Sequence, residues 1–146
     1  MKKYFLFFIA AILLFSCGSS ADKVKVKLNG KSYTFSVAAT EKTRQTGLMY
    51  IKKLDKDGGM LFVYGQKQEL YYYMKNTYIP LDIAFIDDEL KIIDIQSMEP
   101  LDETTIQSKG KAMYALEVNR GFYERIGVKV GDKIEFITPV SYKAEE

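Results

Sequence analysis

"LDIAFIDDELKIIDI", residues 81–95, decides the fold. Strand side chains alternate between two faces, and from Leu81 to Ile86 both faces are apolar. Leu81, Ile83 and Phe85 take one side, and Ala84 and Ile86 the other. A strand apolar on both sides is covered on both sides, so this one belongs in the interior of a sheet. Asp87, Asp88 and Glu89 then make a turn whose acidic residues keep its tip in water, and Leu90–Ile95 runs back as a second strand. Asp82 is the exception, because it heads the face that carries Ala84 and Ile86. A covered carboxylate needs a partner, and Lys75 or the backbone N–H groups of Asn76 and Thr77 are candidates.

Those candidates lie in the preceding stretch, "YYYMKNTYIP", residues 71–80. On a strand through Met74, Lys75 shares a face with Tyr71 and Tyr73, and alternation buries Tyr72. Two readings are open. In one, Asp82 and Asn76 tie the loop down by side-chain-to-backbone bonds and Pro80 fixes its shape. In the other, the loop presents Lys75 and Asn76 to a ligand, with Tyr73 and Tyr78 as walls.

Further toward the N-terminus, "KVKVKLNGKSYTFSVA" (23–38) alternates, turns at Asn29-Gly30 and alternates again, which is a hairpin signal. "TEKTRQTGLMY" (40–50) reads as a short helix capped by Thr40, with Glu41 in its first turn and Gly47 at its end. Arg44 on that helix is either solvated or forked onto Asp82 or Glu117. "MLFVY" and "LYYYM" read as strands around "GQKQE". Toward the C-terminus, "MEPLDETTIQSKGK" (98–111) is the longest loop, and "MYALEVN" (113–119) is a strand. In that strand Glu117 alternates against Leu116 and Val118 and reads as solvated. "RGFYERIG" (120–127) is a helical turn capped by Asn119 and stopped by Gly127, and "VKVGDKIEFI" closes the domain. The expected fold is mainly β, a small sandwich or barrel of about eight short strands with two short helices. A cradle-loop barrel is the alternative, because such barrels also use a "VKVGD" turn.

The first residues belong to a different physical problem. "MKKYFLFFIAAILLFSC" has two lysines, an apolar run from Tyr4 to Phe15, then Ser16 and Cys17. This is the pattern of a secretory signal, too short for a permanent span, and Leu14–Cys17 resembles the bacterial lipobox. Residues 1–16 are therefore expected to be a lipoprotein signal peptide. Residues 17–23 are a tether lipidated at Cys17, and residues 24–146 a single β domain. An ordinary cleaved signal with an incidental cysteine, or an uncleaved anchor, is the alternative. Lipidation implies attachment to a membrane in the bacterial cell envelope, with the domain on the exported side.

Of 21 Lys and Arg residues, Lys2 and Lys3 lie in the signal, leaving 19 against 19 Asp and Glu. That neutral balance gives no argument for nucleic acid as a partner. The chain has no histidine, and its one cysteine is Cys17. Ser-His-Asp and Cys-His triads, His/Cys zinc sites and histidine haem ligation are excluded, and no metal or other cofactor is expected. Catalysis by a carboxylate pair remains open, with Asp82 partnered by Glu117 or Asp94 at the roughly 5 to 9.5 Å that glycoside hydrolysis requires.

"RQTGLM", "GGMLFVY", "YYMKNTYIPLDIAFID" and "YALEVNRGF…GVKVGD", in that order, resemble the prokaryotic domain-of-unknown-function family one hundred and ninety-two. The resemblance runs from about Val37 to Phe136. Members often carry Phe-Trp before Met-Lys-Asn-Thr, where this chain has Tyr72 and Tyr73. The resemblance implies a compact all-β fold with short helices, and export is common in the family. It implies no activity. It places Arg44, Lys75, Asn76, Thr77 and Asp82 in the family signature, which can be a signature of folding or of function. Three functions follow as expectations: an envelope lipoprotein binding a small polar ligand or an envelope protein through the Met-Lys-Asn-Thr loop, a hydrolase of envelope glycans, or a structural module. In the first, Arg44, Tyr73, Lys75, Asn76, Thr77 and Asp82 form the ligand site.

Overall fold

A computed structural model describes residues 22–144. The signal, Cys17 and nearly all of the tether lie outside the described residues. In chain order the elements are β1 (Lys23–Leu28), β2 (Lys31–Ala38), α1 (Glu41–Thr46), β3 (Gly59–Gln68), β4 (Tyr71–Tyr72) and β5 (Leu81–Ile86). They continue with β6 (Ile92–Met98), β7 (Ile106–Gln107), β8 (Ala112–Asn119), α2 (Phe122–Ile126) and β9 (Glu135–Phe136). The fold is mainly β, as expected. Seven strands form one sheet in the order β6-β5-β8-β3-β2-β1-β9, and β4 pairs with β7 in a separate ribbon.

β5 lies between β6 and β8 with all six residues buried, as its two apolar faces require. Fully burying each large apolar side chain contributes about 1.5–3 kcal/mol, and Ile83→Ala would cost about 2–5 kcal/mol. The β1–β2 hairpin turns at Asn29 (φ 44°) and Gly30 (φ 79°), the left-handed pair that a two-residue turn needs. Neighbouring strands run antiparallel except β2 and β3, which pair in parallel through Ser36–Met60, Val37–Leu61 and Ala38–Phe62. A parallel pair needs a crossover, and residues 39–58 supply it with α1 inside. The sheet curls until its ends meet. Lys91 bridges Lys133, and the Ile92 N–H donates to the Asp132 carbonyl at 2.9 Å.

Each face carries a core. On one, Val26, Phe35, Leu61, Ala84 and Leu116 pack under Phe122 and Tyr123 of α2. On the other, Phe62, Ile83, Phe85 and Ala115 pack under the β4–β7 ribbon, Leu48 and Met74. The register assigns the acidic residues to faces. Asp82 stands opposite Val118 and belongs to the α2 face; Ile83 stands opposite Glu117, which belongs to the ribbon face.

Three local expectations are corrected. "LYYYM" is strand only at Tyr71–Tyr72, because the Met74 N–H turns away to the Asp102 carbonyl (2.8 Å); "GQKQ" is the end of β3. The cap of α2 is Gly121, left-handed at φ 78°, while the Asn119 side chain donates to the Asp55 carbonyl at 2.8 Å. Glu117 is not solvated. β8 is a central strand with both faces covered, so the position opposite an apolar face is itself inside.

Candidate functional site

On the ribbon face a cavity of about 320 Å³ opens between α1, the end of β3 and the tyrosines of residues 71–73. Glu117 lines it from the sheet. The helix that forms one wall is short and buries no residue of its own. Thr40 caps it by accepting from the Thr43 N–H (3.1 Å), and Gly47 ends it at φ 48°, a region closed to most side chains. A Cβ at Gly47 would stand 3.1 Å from the Phe62 ring, so glycine here also lets the turn rest against the core.

Arg44 compensates for the missing apolar contacts of α1. Its Nη1 donates to the Ala39 carbonyl (2.8 Å) and the Val63 carbonyl (3.1 Å). Its guanidinium stacks over the rings of Tyr64 (5.0 Å) and Tyr142 (5.2 Å). The expected fork onto Asp82 or Glu117 does not form. Asp82 is on the far face of the sheet, and Arg44 turns its Nη1 to the Ala39 and Val63 carbonyls and its plane to Tyr64 and Tyr142.

Glu117 is 6% exposed. Its carboxylate receives no hydrogen bond or ion pair from any described residue, and its oxygens open onto the cavity, since among the described residues every fully enclosed side-chain oxygen and nitrogen is paired. Burial without a partner disfavours the charged form, and the Glu117 pKa rises from 4.5 to about 8. Several polar groups that line the cavity with it are bonded to one another or to backbone. The Tyr64 and Tyr72 hydroxyls bond each other at 2.9 Å, and burial raises the pKa of both. The Thr77 hydroxyl donates to the Lys75 carbonyl at 3.2 Å, and Gln45 donates to Glu41 at 3.1 Å. Tyr72 is wedged edge-on against Phe62 (5.2 Å) and Phe85 (5.8 Å), which makes the inner wall apolar.

Three of the sequence-derived site residues, Arg44, Tyr73 and Thr77, line this cavity, and three do not. Lys75 is exposed outside it. Asn76, left-handed at φ 54°, spends its side chain on the Tyr50 hydroxyl (2.9 Å), while its carbonyl accepts from the Tyr50 N–H (2.8 Å). It clamps the loop to the crossover. Asp82 is buried and fully used: one oxygen accepts from the Ser97 hydroxyl and the other from the Gly121 N–H, both at 2.7 Å. The expectation of a covered carboxylate with a partner holds, but the partners come from β6 and the start of α2, not from Lys75, Asn76 or Thr77.

The carboxylate pairs expected for hydrolysis are not assembled. Asp82 lies on the opposite face from Glu117, and also from Asp94, which stands opposite Phe85. Asp94 is held by Gln96 (2.6 Å) and by the Lys109 ammonium (3.3 Å). The residue that the alternation rule missed is Glu117. Ala115, two positions earlier on the same face, is the sequence signal that this face is apolar too.

A family model described as "Uncharacterized ACR", domain of unknown function 192, matches residues 24–136. A crystal structure from Sinorhizobium meliloti 1021, described as a "putative transcription regulator", superposes with a TM-score of 0.74 at 35% identity, covering 80% of this chain and 95% of that one. A protein of unknown function from Novosphingobium aromaticivorans DSM 12444 superposes with a TM-score of 0.70 at 31% identity, covering 79% of this chain and 84% of that one. No curated protein matches the chain.

Proposed function

The chain belongs to domain-of-unknown-function family 192, and from that premise we propose that it is a binding domain whose cavity between α1 and Tyr71–Tyr73 takes a small polar ligand. One observation carries the reading: Glu117, a buried residue whose carboxylate has no hydrogen-bond partner among the described residues, lines a cavity of about 320 Å³ with mixed aromatic and polar walls. A pocket of that size, with apolar ring surface and polar groups in similar measure, suits a small molecule that carries polar groups. The Met-Lys-Asn-Thr loop contributes by shape. Thr77 and the neighbouring Tyr73 form wall, while Asn76 and Asp82 hold the wall in place. Of the acidic residues that line the cavity, Glu117 is buried and Glu41 is exposed on α1, so a ligand site fits better than a paired-carboxylate hydrolase.

The test is a screen of the soluble domain against sugars, amines, amino acids and cell-wall fragments, read by amide chemical shifts. Binders should move the Tyr73 and Thr77 signals, and Thr46→Trp, placed at the exposed rim, should abolish the response. Ligands that bind while those signals stay still would place the site elsewhere.

The reading includes a lipid anchor on Cys17, supported by the signal pattern and by the absence of any other cysteine. Cys17→Ser should lose labelling with radioactive palmitate and move from the membrane fraction to the soluble one. Unlabelled wild-type protein would remove the anchor from the proposal.

A further inference from the structure

We propose that the ligand group received by Glu117 is a cationic nitrogen, a protonated amine on a small molecule; this rests on reading the cavity as the ligand site. The geometry argues by elimination. Tyr64 and Tyr72 are bonded to each other, Thr77 to a carbonyl, Gln45 to Glu41, and Arg44 Nη1 to two carbonyls. The Glu117 carboxylate has no donor among the described residues, and its oxygens open onto the cavity, where a ligand can reach them. Phe62, Tyr64, Tyr72 and Tyr73 line the same cavity, and the Tyr64 ring already carries one cation, the Arg44 guanidinium, over its face at 5.0 Å. Two carboxylates line the cavity against one guanidinium, and that guanidinium is stacked on Tyr64 and Tyr142.

The step balances as a proton exchange. In the empty cavity Glu117 is mostly a neutral carboxylic acid at neutral pH, because burial lifts its pKa to about 8. An entering ammonium stabilises the carboxylate, and the carboxyl proton leaves to solvent. No covalent bond forms, and one proton is released per ligand bound. The ionisable groups facing Glu117 are Arg44 and Glu41 from α1, Tyr64 from β3 and Tyr71–Tyr73 from β4 and its continuation. Tyr123 of α2 feels its charge from the opposite face of the sheet. Burial raises the pKa of Tyr64, Tyr72 and Tyr123 above the usual phenol value, which leaves Glu117 as the buried group that titrates near neutrality.

The experiment compares benzylamine with benzyl alcohol, and adds putrescine, lysine methyl ester and N-acetylglucosamine, by calorimetry in buffers of different ionisation enthalpy. We expect the amine to bind at least about tenfold tighter than the alcohol of the same shape, releasing close to one proton at pH 6. Its affinity should rise about tenfold per pH unit up to neutrality and level off above about pH 8. Glu117→Gln, a neutral isostere of the protonated acid, should remove both the affinity gain and the proton release. If benzyl alcohol or N-acetylglucosamine binds as tightly as benzylamine with no proton released, the ammonium inference falls while the cavity remains a ligand site. If no probe binds and the Tyr73 and Thr77 signals stay still, both fall.

Discussion

Replacing Glu117 by glutamine should convert a protein that weakens as pH rises into one that does not. Glu117 binds its proton more tightly folded, with a pKa of about 8, than unfolded, where its ordinary value is 4.5. Between these values the folded state carries the extra proton, so the slope of unfolding free energy with pH is negative. The contribution is fully present below about pH 4.5 and lost progressively up to about pH 8. At about 1.36 kcal/mol per pH unit, the gap of about 3.5 units amounts to roughly 5 kcal/mol, a large part of a typical domain's stability. Glu117→Gln has no proton to lose. Near pH 4.5 the two proteins should agree within about 1 kcal/mol, and by about pH 9 the variant should be more stable by about 3–5 kcal/mol. Urea denaturation of the soluble domain at half-unit steps measures the difference, with the slope m held equal between the two. Parallel stability profiles, or a variant weaker than wild type at pH 9, would refute the buried and unpartnered carboxylate.

Asp82→Ala should cost about 2–4 kcal/mol at neutral pH, because it leaves the Ser97 hydroxyl and the Gly121 N–H without their acceptor; equilibrium unfolding measures it, and a loss below 1 kcal/mol would return Asp82 to the list of ligand groups. Gly47→Ala should destabilise by about 1–3 kcal/mol, since it places a side chain at φ 48° and 3.1 Å from Phe62. Its melting temperature should fall more than that of Gly30→Ala, whose added Cβ meets nothing within 4 Å. Arg44→Ala removes both carbonyl bonds of α1 and its stacking on Tyr64, so amide exchange over residues 41–48 should quicken at least tenfold while β5 and β8 exchange as before.

The sheet was legible in the sequence wherever one pattern answered one question. Leu81–Ile86 announced a central strand, Asn29-Gly30 a hairpin, and Thr40 with Gly47 the bounds of α1. The misreading of Glu117 has a plain cause, which is that alternation identifies faces but does not say whether a face is wet. Glu117 and Asp82 both sit on covered faces, one without partners and one with two. Asp82 declared itself through the apolar residues beside it. Glu117 did not, because its neighbour Ala115 is too small to mark a buried face strongly. The partners of Asp82 could not be read locally: Ser97 and Gly121 lie 15 and 39 residues away. Met-Lys-Asn-Thr is a polar cluster in sequence, yet Asn76 is spent on the Tyr50 hydroxyl, Thr77 on the Lys75 carbonyl, and Lys75 points outside the cavity.

The parallel pairing of β2 with β3 has a consequence for how this molecule assembles. Antiparallel neighbours can zip up from adjacent turns, but β2 and β3 can join only after residues 39–58 have traversed the sheet. That junction unites the β1–β2 hairpin with the block of β3, β8, β5 and β6, and the crossover spanning it carries one wall of the cavity. The other walls come from β3, β4, Tyr73, Thr77 and β8, so the cavity forms only when the crossover has docked on that block. A ligand bound there would favour, by mass action, the chain whose crossover is docked, so occupancy would double as a report that this long connection has closed.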